Sequence, residues 1–305
     1  MALRRIPYLP VVLCWFQCVL RLPAIHGETG WPEGRVLAEK SASPDGHYGV
    51  LLPTRDQAGG EDEDKIANTL VDLKIHRALG VIRGSHYFSG QNHRDLAVVW
   101  AVNSSWCAVI YGARYGFGAI TLVEPHGAKC TQFDAGQHVQ QALDAAIARQ
   151  NHGQAIGACA SAFFRAGPGR LVLVRATGYT NPKGLSEQPT FSAFFEGTFD
   201  LATGKWTRSE AHKTASAKTD ALNFAYSDYL DEGTTFDSED SRLMWYDARL
   251  NEVYDSVRFV LPAERFAVVK KEQIAWLKEF ATRTTNDAKR DFMAARIKEL
   301  RRLVW

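Results

Sequence analysis

Apolar positions at the C-terminal end of the chain repeat with the period of a helix. Between Leu243 and Leu303, three separate segments place such residues three or four positions apart. The stripes are Leu243, Tyr246, Leu250, Val253, Val257 and Val260; Phe266, Val269, Gln273, Trp276 and Phe280; and Phe292, Arg296, Leu300 and Leu303. This spacing puts each set on one face of an α-helix. The pattern predicts three amphipathic helices.

Two breaks separate these helices. Leu261-Pro262 ends the first, because proline lacks an N–H and moves the preceding residue out of the helical region. Thr284-Thr285-Asn286 separates the second from the third, with Asn286 as the expected N-cap. Short joints favour antiparallel neighbours, so residues 236–305 are predicted to form a three-helix antiparallel bundle.

The middle of the chain alternates short apolar runs with turn residues, which is typical of strands. The predicted strands lie near residues 47–52, 68–73, 77–82, 97–100, 106–111, 120–123, 170–177, 190–199 and 205–208. One helix is predicted over residues 137–150, with Val139, Leu143, Ala146 and Ile147 on its apolar face. The fold class is therefore α+β: an antiparallel β-rich domain over residues 28–211, a linker rich in Ser, Thr, Asp and Lys over 212–235, and the helical domain.

Two stretches of the β-rich part resemble each other. Ser43-Pro-Asp-Gly-His-Tyr-Gly-Val50 and Trp100-Ala-Val-Asn-Ser-Ser-Trp-Cys-Ala-Val109 each place a small polar turn before an apolar strand. Both are similar to the repeating unit of TolB-type β-propeller blades. Two units cannot close a propeller, which needs at least four blades. The resemblance implies an open, propeller-like sheet whose edge the helix at 137–150 can cover.

The helical end resembles the lysozyme inhibitor LprI-type domain. The resemblance lies in Leu250-Asn-Glu-Val-Tyr254, Leu261-Pro262, Gln273-Ile-Ala-Trp276-Leu277 and Arg296-Ile-Lys-Glu-Leu300. It implies a secreted or envelope protein, with lysozyme inhibition in some members and no enzymatic activity. The motif residues are expected to be structural: Leu250, Tyr254, Gln273, Trp276, Leu277, Arg296 and Leu300. For Gln273 and Trp276 the alternative to a core role, with the amide bonded to Arg296, is a partner hot spot centred on the tryptophan.

The N-terminal residues have the composition of a secretory signal. Met1 to Arg5 carries two arginines, and Val11 to Leu20 is apolar apart from Gln17. Ten residues are too few to span a bilayer and suit a signal-peptide core. The sequence predicts a signal peptide over residues 1–27, a mature chain beginning near Glu28, and a periplasmic or secreted location. A buried N-terminal helix is the alternative.

The net charge argues against nucleic acid as a partner, and charged residues are distributed unevenly over the helical end. The whole chain carries a formal charge of +2, and removal of Arg4, Arg5 and Arg21 lowers it to −1, so nothing indicates nucleic-acid binding. Residues 231–262 hold eight acids against three arginines, whereas residues 263–305 hold eleven bases against six acids. Mutual pairing of the first helix with the other two would account for this division.

Three cysteines remain after export, and their odd number leaves at least one thiol free. Cys107 lies in an apolar run and is expected to be a buried small hydrophobe. Cys130 and Cys159 flank the predicted middle helix and form a candidate disulfide in an oxidising compartment.

No compact catalytic pattern is present. The chain lacks Gly-x-Ser-x-Gly, a phosphate-binding loop, His-Glu-x-x-His and Cys-x-x-Cys, so no cofactor and no metal ligand are predicted. The densest polar cluster is Asn92, His93 and Asp95, in which the histidine beside a carboxylate is a candidate for binding or acid–base work. A loop capped by its own Asn and Asp hydrogen bonds is the alternative.

Three functions follow from these observations. The first is an exported, non-enzymatic protein that binds a protein or envelope component. The second is an inhibitor of lysozyme. The third is a hydrolase with a dispersed site near His93.

Overall fold

Three antiparallel meanders follow one another along the chain, and helices complete the fold. The computed structural model describes residues 31–32, 34–58, 67–113, 116–153, 159–180, 191–227 and 235–305. Residues 34–305 make up one compact unit. The predicted signal peptide lies outside the described residues. Within them, strands and helices are both abundant, which confirms the α+β class.

Each sheet contains four strands in chain order. The first consists of β1 (Arg35–Leu37), β2 (Tyr48–Pro53), β3 (Thr69–Asp72) and β4 (Arg77–Val81). The second consists of β5 (Asp95–Trp100), β6 (Cys107–Ala113), β7 (Gly116–His126) and β8 (Lys129–Asp134). The third consists of β9 (Cys159–Ala166), β10 (Leu171–Thr180), β11 (Phe191–Asp200) and β12 (Lys205–Thr214). A short helix, α1 (Arg55–Ala58), follows β2.

The second sheet is buried on both faces. Successive side chains of a strand point to opposite faces. On β6, Cys107 and Val109 pack against the first sheet, whereas Ala108 packs in the core shared with the third sheet. This two-sided burial explains why residues 106–111 form a continuous apolar run rather than an alternating one. Cys107 is fully buried, as predicted, and burial raises the pKa of its thiol.

The helix predicted at 137–150 is α2 (Gly136–Ala148), and it lies over the second and third sheets. Its predicted apolar face is confirmed, since Val139, Leu143, Ala146 and Ile147 are all buried in the shared core. Gly136 begins the helix where a Cβ would come within 2.7 Å of the backbone nitrogen of Ile120 on β7. The absent side chain therefore lets the start of α2 lie directly against β7.

The face of the third sheet that points away from α2 packs against the helical end of the chain. Phe163 and Phe194 from this sheet pack with Tyr226 of α3 (Ser216–Tyr226). The prediction of a linker over 212–235 is wrong for residues 216–226, because this segment is helical and its Leu222 and Ala225 are fully buried. Residues 228–234 lie outside the described residues.

Three helices end the chain, with bounds close to those predicted: α4 (Glu239–Val260), α5 (Ala263–Phe280) and α6 (Asn286–Arg301). Ser238 caps α4, and its hydroxyl accepts the N–H of Ser241 at 3.1 Å. The N-cap of α6 is Thr285 rather than Asn286, since the Thr285 hydroxyl accepts the N–H of Ala288. Within the described part of the chain, no helix combines the length and the apolarity needed to cross a membrane.

Helix α5 is packed less deeply than its neighbours. Of its residues only Val269 is buried, whereas α4 and α6 each bury five. The remaining members of its apolar stripe, Phe266, Gln273, Trp276 and Phe280, are half-buried against α4 and α6. The opposite side of α5 is exposed along its length.

Three strands and one covalent link differ from the sequence-based expectation. Strand β1 was not predicted, because the three residues Arg35–Leu37 lie in a stretch without a clear period. Strands β8 and β9 were not predicted, because Lys129–Asp134 is largely polar and Cys159–Ala166 is rich in alanine. Cys130 carries a free thiol, so the candidate disulfide with Cys159 is not formed. Cys130 packs between the first and second sheets, close to Gly80, whereas Cys159 begins an edge strand of the third sheet.

Candidate functional site

A cleft of about 280 Å³ opens between the first residues of β7 and the first turns of α2. Its lining residues are Phe117, Gly118, Ala119, Asp134, Gly136, Gln137, Gln140 and Gln141. The cleft exists because Gly136 brings the helix against β7, and the N–H of Ala135 donates to the carbonyl of Ile120 at 3.0 Å. Because the start of β7 and the start of α2 are held together in this way, the cleft has a preformed shape.

Most side chains that line the cleft are polar, and an aromatic ring forms one apolar side. The backbone N–H of Gln137 donates to Oδ1 of Asp134 at 3.2 Å, which fixes the carboxylate at the mouth. Nε2 of Gln140 donates to Asp144 at 2.9 Å, which holds that amide in place and leaves its carbonyl oxygen available as an acceptor. Amides both donate and accept, and Phe117 offers an aromatic surface. The lining contains one carboxylate and no cationic side chain, so it suits a neutral, hydroxyl-rich or amide-bearing ligand.

Asn92 and His93 lie in an exposed turn, and the exposed Asp95 is the first residue of β5. Among the described residues, His93 makes no hydrogen bond to Asn92 or Asp95, and its backbone adopts a φ of 58°. The Asp95 side chain lies over Gly112 on the neighbouring strand, where a Cβ would collide with its carboxylate. The structure therefore does not assemble these three side chains into one site, and a role for them in binding stays a prediction.

A histidine–aspartate pair that the sequence analysis missed lies on the first sheet, where His47 precedes β2 and Asp72 ends the neighbouring strand β3. His47 Nε2 is 3.0 Å from Asp72 Oδ2. The nearby Ser43 hydroxyl donates to Asp45 at 2.6 Å and accepts the N–H groups of His47 and Tyr48 at 3.1 and 2.9 Å. A nucleophile must be hydrogen-bonded to its base. Here the serine proton is directed to Asp45, so the arrangement stabilises a turn.

Both carboxylates of this turn remain ionised at neutral pH. Burial by itself would raise the pKa of Asp72, but the N–H groups of Ile75 and Lys74 and the His47 ring outweigh it and lower that pKa. The same balance lowers the pKa of Asp45, where desolvation is opposed by the Ser43 hydroxyl and the His47 N–H. The two stretches with similar turn sequences, residues 43–50 and 100–109, contact each other in the fold. The Ser104 hydroxyl accepts the N–H of Asp45 at 3.2 Å.

Glu196, Glu210 and His212 form the one group of three metal-ligating side chains found among the described residues, with ligand atoms within 4.8 Å of one another. Strand register creates it, because Glu196 faces Glu210 across β11 and β12 and His212 lies two residues further along the same face. Arg208 forms an ion pair with Glu196 and lies 3.6 Å from Glu210. A guanidinium already supplies the positive charge here, so we interpret the group as an ion-pair network on an exposed strand.

The family-motif residues divide between the core and the surface. Leu250 and Leu300 are buried, and Tyr254 packs its ring against Phe266 at 5.3 Å. Arg296 is only 5% exposed and donates from Nε to Oε1 of Gln273 at 2.9 Å, which confirms the predicted bond between these two residues. Leu277, by contrast, is 51% exposed on the outer side of α5.

Comparisons of the chain with protein-family models, with curated proteins and with solved structures found no match. The resemblances to LprI-type domains and to TolB-type blades therefore remain predictions.

Proposed function

We propose that this protein is an exported, non-enzymatic binding protein of the cell envelope or extracellular space, and that the cleft beside α2 holds its ligand. The observation that carries the proposal is the lining: three glutamines, one carboxylate and one aromatic ring around a preformed opening. Pockets that fix a ligand with a few polar groups and an apolar wall are the usual form of a small-molecule site. Export is inferred from the sequence of residues 1–27.

The architecture in this proposal has two parts. The three four-stranded sheets are taken as successive blades of an open, propeller-like stack, and α4, α5 and α6 as an antiparallel bundle that covers its last blade. Such a stack would expose the start of α2 at its rim, where a ligand could enter the cleft.

Binding through the cleft is tested with the full-length protein and soluble glycans, using N-acetylglucosamine oligomers and peptidoglycan fragments as probes in calorimetric titrations. Gln137→Ala combined with Gln141→Ala should lower affinity about tenfold or more, because each lost hydrogen bond is worth roughly 0.5–1.5 kcal/mol. Asn251→Ala removes an exposed amide on α4 and serves as the control. Equal affinity for the cleft variant and the wild type would contradict the proposal.

Export has a separate test. N-terminal sequencing of the accumulated protein should find a mature chain that begins near Glu28. Recovery of Met1 or Ala2 would contradict the signal peptide without affecting the cleft.

Lysozyme inhibition is the second candidate, and one observation favours it. Asp237, Glu239, Asp240, Asp247 and Asp255 are all exposed on α4 or just before it. An acidic helix surface is complementary to a cationic enzyme. A lysis assay with increasing amounts of this protein should show inhibition that is lost when these acids are replaced by their amides.

A hydrolase is the third candidate, and no observation favours it over the other two. A panel of ester, peptide, phosphoester and peptidoglycan substrates should show no turnover by the wild type. Activity that disappears in His93→Ala would overturn the binding-protein proposal.

A further inference from the structure

The outer side of α5 combines exposed aliphatic residues with lysines. Ile274 and Leu277 are each 51% exposed, although large apolar side chains on a helix usually face the core. Lys270, Lys271 and Lys278 lie beside them and are exposed. No ion pair involves these three lysines among the described residues.

These five residues lie on one side of the α5 helix axis. At about 100° per residue, Leu277, Lys270, Ile274, Lys278 and Lys271 occupy one arc of about 120°. The three acids of the helix, Glu264, Glu272 and Glu279, all fall outside this arc. We name the arc the lysine–aliphatic face, defined as Lys270, Lys271, Ile274, Leu277 and Lys278. It carries a charge of one sign together with apolar area.

The rest of the helical end does not neutralise this face. Arg290 of α6 lies 3.7 Å from Glu239 of α4, so the predicted pairing of α4 with the other two helices is seen for α6. Among the described residues no ion pair joins α4 with α5, so the other half of that prediction is not seen. In the part of the chain that the structure describes, the other ion pairs of α4 and α6 residues lie within one helix, as between Arg249 and Glu252 or Arg296 and Glu299. The acids of α4 therefore leave the lysines of α5 available.

From this juxtaposition we propose that the lysine–aliphatic face of α5 docks on an anionic membrane surface. A helix with exposed aliphatic residues between lysines lies in the membrane interface, where the apolar side chains enter the headgroup boundary and the lysines meet anionic headgroups. Helix α5 buries only Val269, so its outer side lies open to solvent along the helix. A bilayer surface can receive such an exposed face without a shaped binding site, whereas a folded protein partner would need a surface complementary to it. This inference is independent of the cleft beside α2.

The test is co-sedimentation of the full-length protein with vesicles. One set contains phosphatidylcholine alone, and the other contains phosphatidylcholine with 30% phosphatidylglycerol. We expect at least tenfold tighter binding to the anionic vesicles at low salt, and a loss of that preference as ionic strength rises, because salt screens the headgroup charge. Any binding through the apolar N-terminal residues is common to all variants.

Matched variants locate the effect on α5. Lys270→Gln with Lys271→Gln and Lys278→Gln should lower binding to anionic vesicles at least tenfold. Lys129→Gln with Lys205→Gln and Lys213→Gln changes the net charge equally at exposed positions of the sheets and should change binding less than threefold. Ile274→Ser with Leu277→Ser should lower it severalfold without altering the circular dichroism spectrum.

Equal losses in the two lysine variants would overturn the proposal, since net charge alone would then explain binding. The absence of any preference for anionic vesicles would overturn it as well and would indicate an acidic protein as the occupant of this face. Failure of glycan binding at the cleft leaves these outcomes unchanged, so the two proposals are distinguishable.

Discussion

Arg296 of α6 donates a hydrogen bond from Nε to Oε1 of Gln273 on α5, across a distance of 2.9 Å. The arginine is buried and its Nη1 also reaches Glu299 at 2.7 Å. Because α5 buries little apolar area, this bond and a cluster of stacked rings connect it to α6. Contacts of this kind decide where α5 lies and therefore which of its faces remains exposed.

Gln273→Ala should lower the free energy of unfolding by about 1–3 kcal/mol, because it leaves a buried guanidinium N–H without its acceptor. Urea denaturation measures the change. Glu272→Ala, at an exposed neighbouring position on α5, is the control and should stay within about 0.5 kcal/mol of the wild type. If both variants unfold at the same urea concentration, the bond contributes nothing to stability.

Trp276→Ala should lower the free energy of unfolding by about 2–4 kcal/mol, since the indole is half-buried and truncation of a fully buried Trp costs about 3–5 kcal/mol. Its ring stacks with those of Phe280 and Phe292, each with a centroid distance of 5.1 Å. The exposed Leu277→Ala should change stability little. A loss below about 1 kcal/mol for Trp276→Ala would favour the partner hot spot over the core role.

Arg170→Met should destabilise the protein by about 2–3 kcal/mol, which is less than the roughly 3–5 kcal/mol that breaking a buried ion pair costs, because Arg170 itself is half exposed. Arg170 donates from Nε at 3.0 Å and from Nη2 at 2.7 Å to Glu124, a residue only 6% exposed, and so connects the second sheet with the β9–β10 turn.

The double variant Arg170→Met with Glu124→Gln separates the two contributions in a double-mutant cycle. A neutral amide costs less to leave unpaired than a carboxylate, so the second change should recover part of the lost stability. Additive losses in the cycle would show that the two residues do not interact.

His138 should make stability depend on pH near neutrality. Its ring stacks on Trp206 at 4.8 Å, and burial lowers its pKa below the ordinary value. The unfolded chain therefore binds the proton more readily than the folded one, so the contribution of neutral His138 is present above about pH 6.5 and is lost as the pH falls. His138→Phe keeps the ring and cannot titrate.

Thermal unfolding of the wild type and His138→Phe, measured from pH 8 to pH 5, checks this prediction. The wild type should lose more stability than the variant as the pH falls, while the other histidines contribute equally to both. Parallel curves would show that the fold does not disfavour protonation of His138.

The amino-acid sequence by itself determined the elements whose pattern is local. The three- and four-residue spacing located α2, α4, α5 and α6, and Pro262 located the joint between α4 and α5. The same stripe predicted that Gln273 and Arg296 would meet, since both lie on the inward faces of neighbouring helices. Strands β8 and β9 escaped prediction because their pairing with β7 and β10, and not their own composition, makes them strands.

Only the tertiary structure determined which residues are buried and which are exposed. Sequence spacing cannot tell a segment such as Ser216–Tyr226 from a linker, because its helix is stabilised by packing against the third sheet. Sequence spacing likewise grouped Asn92, His93 and Asp95, because they are close together along the chain. The residues that line the cleft, such as Phe117 and Gln140, are distant in sequence and come together only in the fold. Leu277 was assigned to a structural motif and is exposed, because α5 faces neighbours on one side only. Whether a side chain is buried depends on which elements pack against its own, and the sequence of a single element does not specify that.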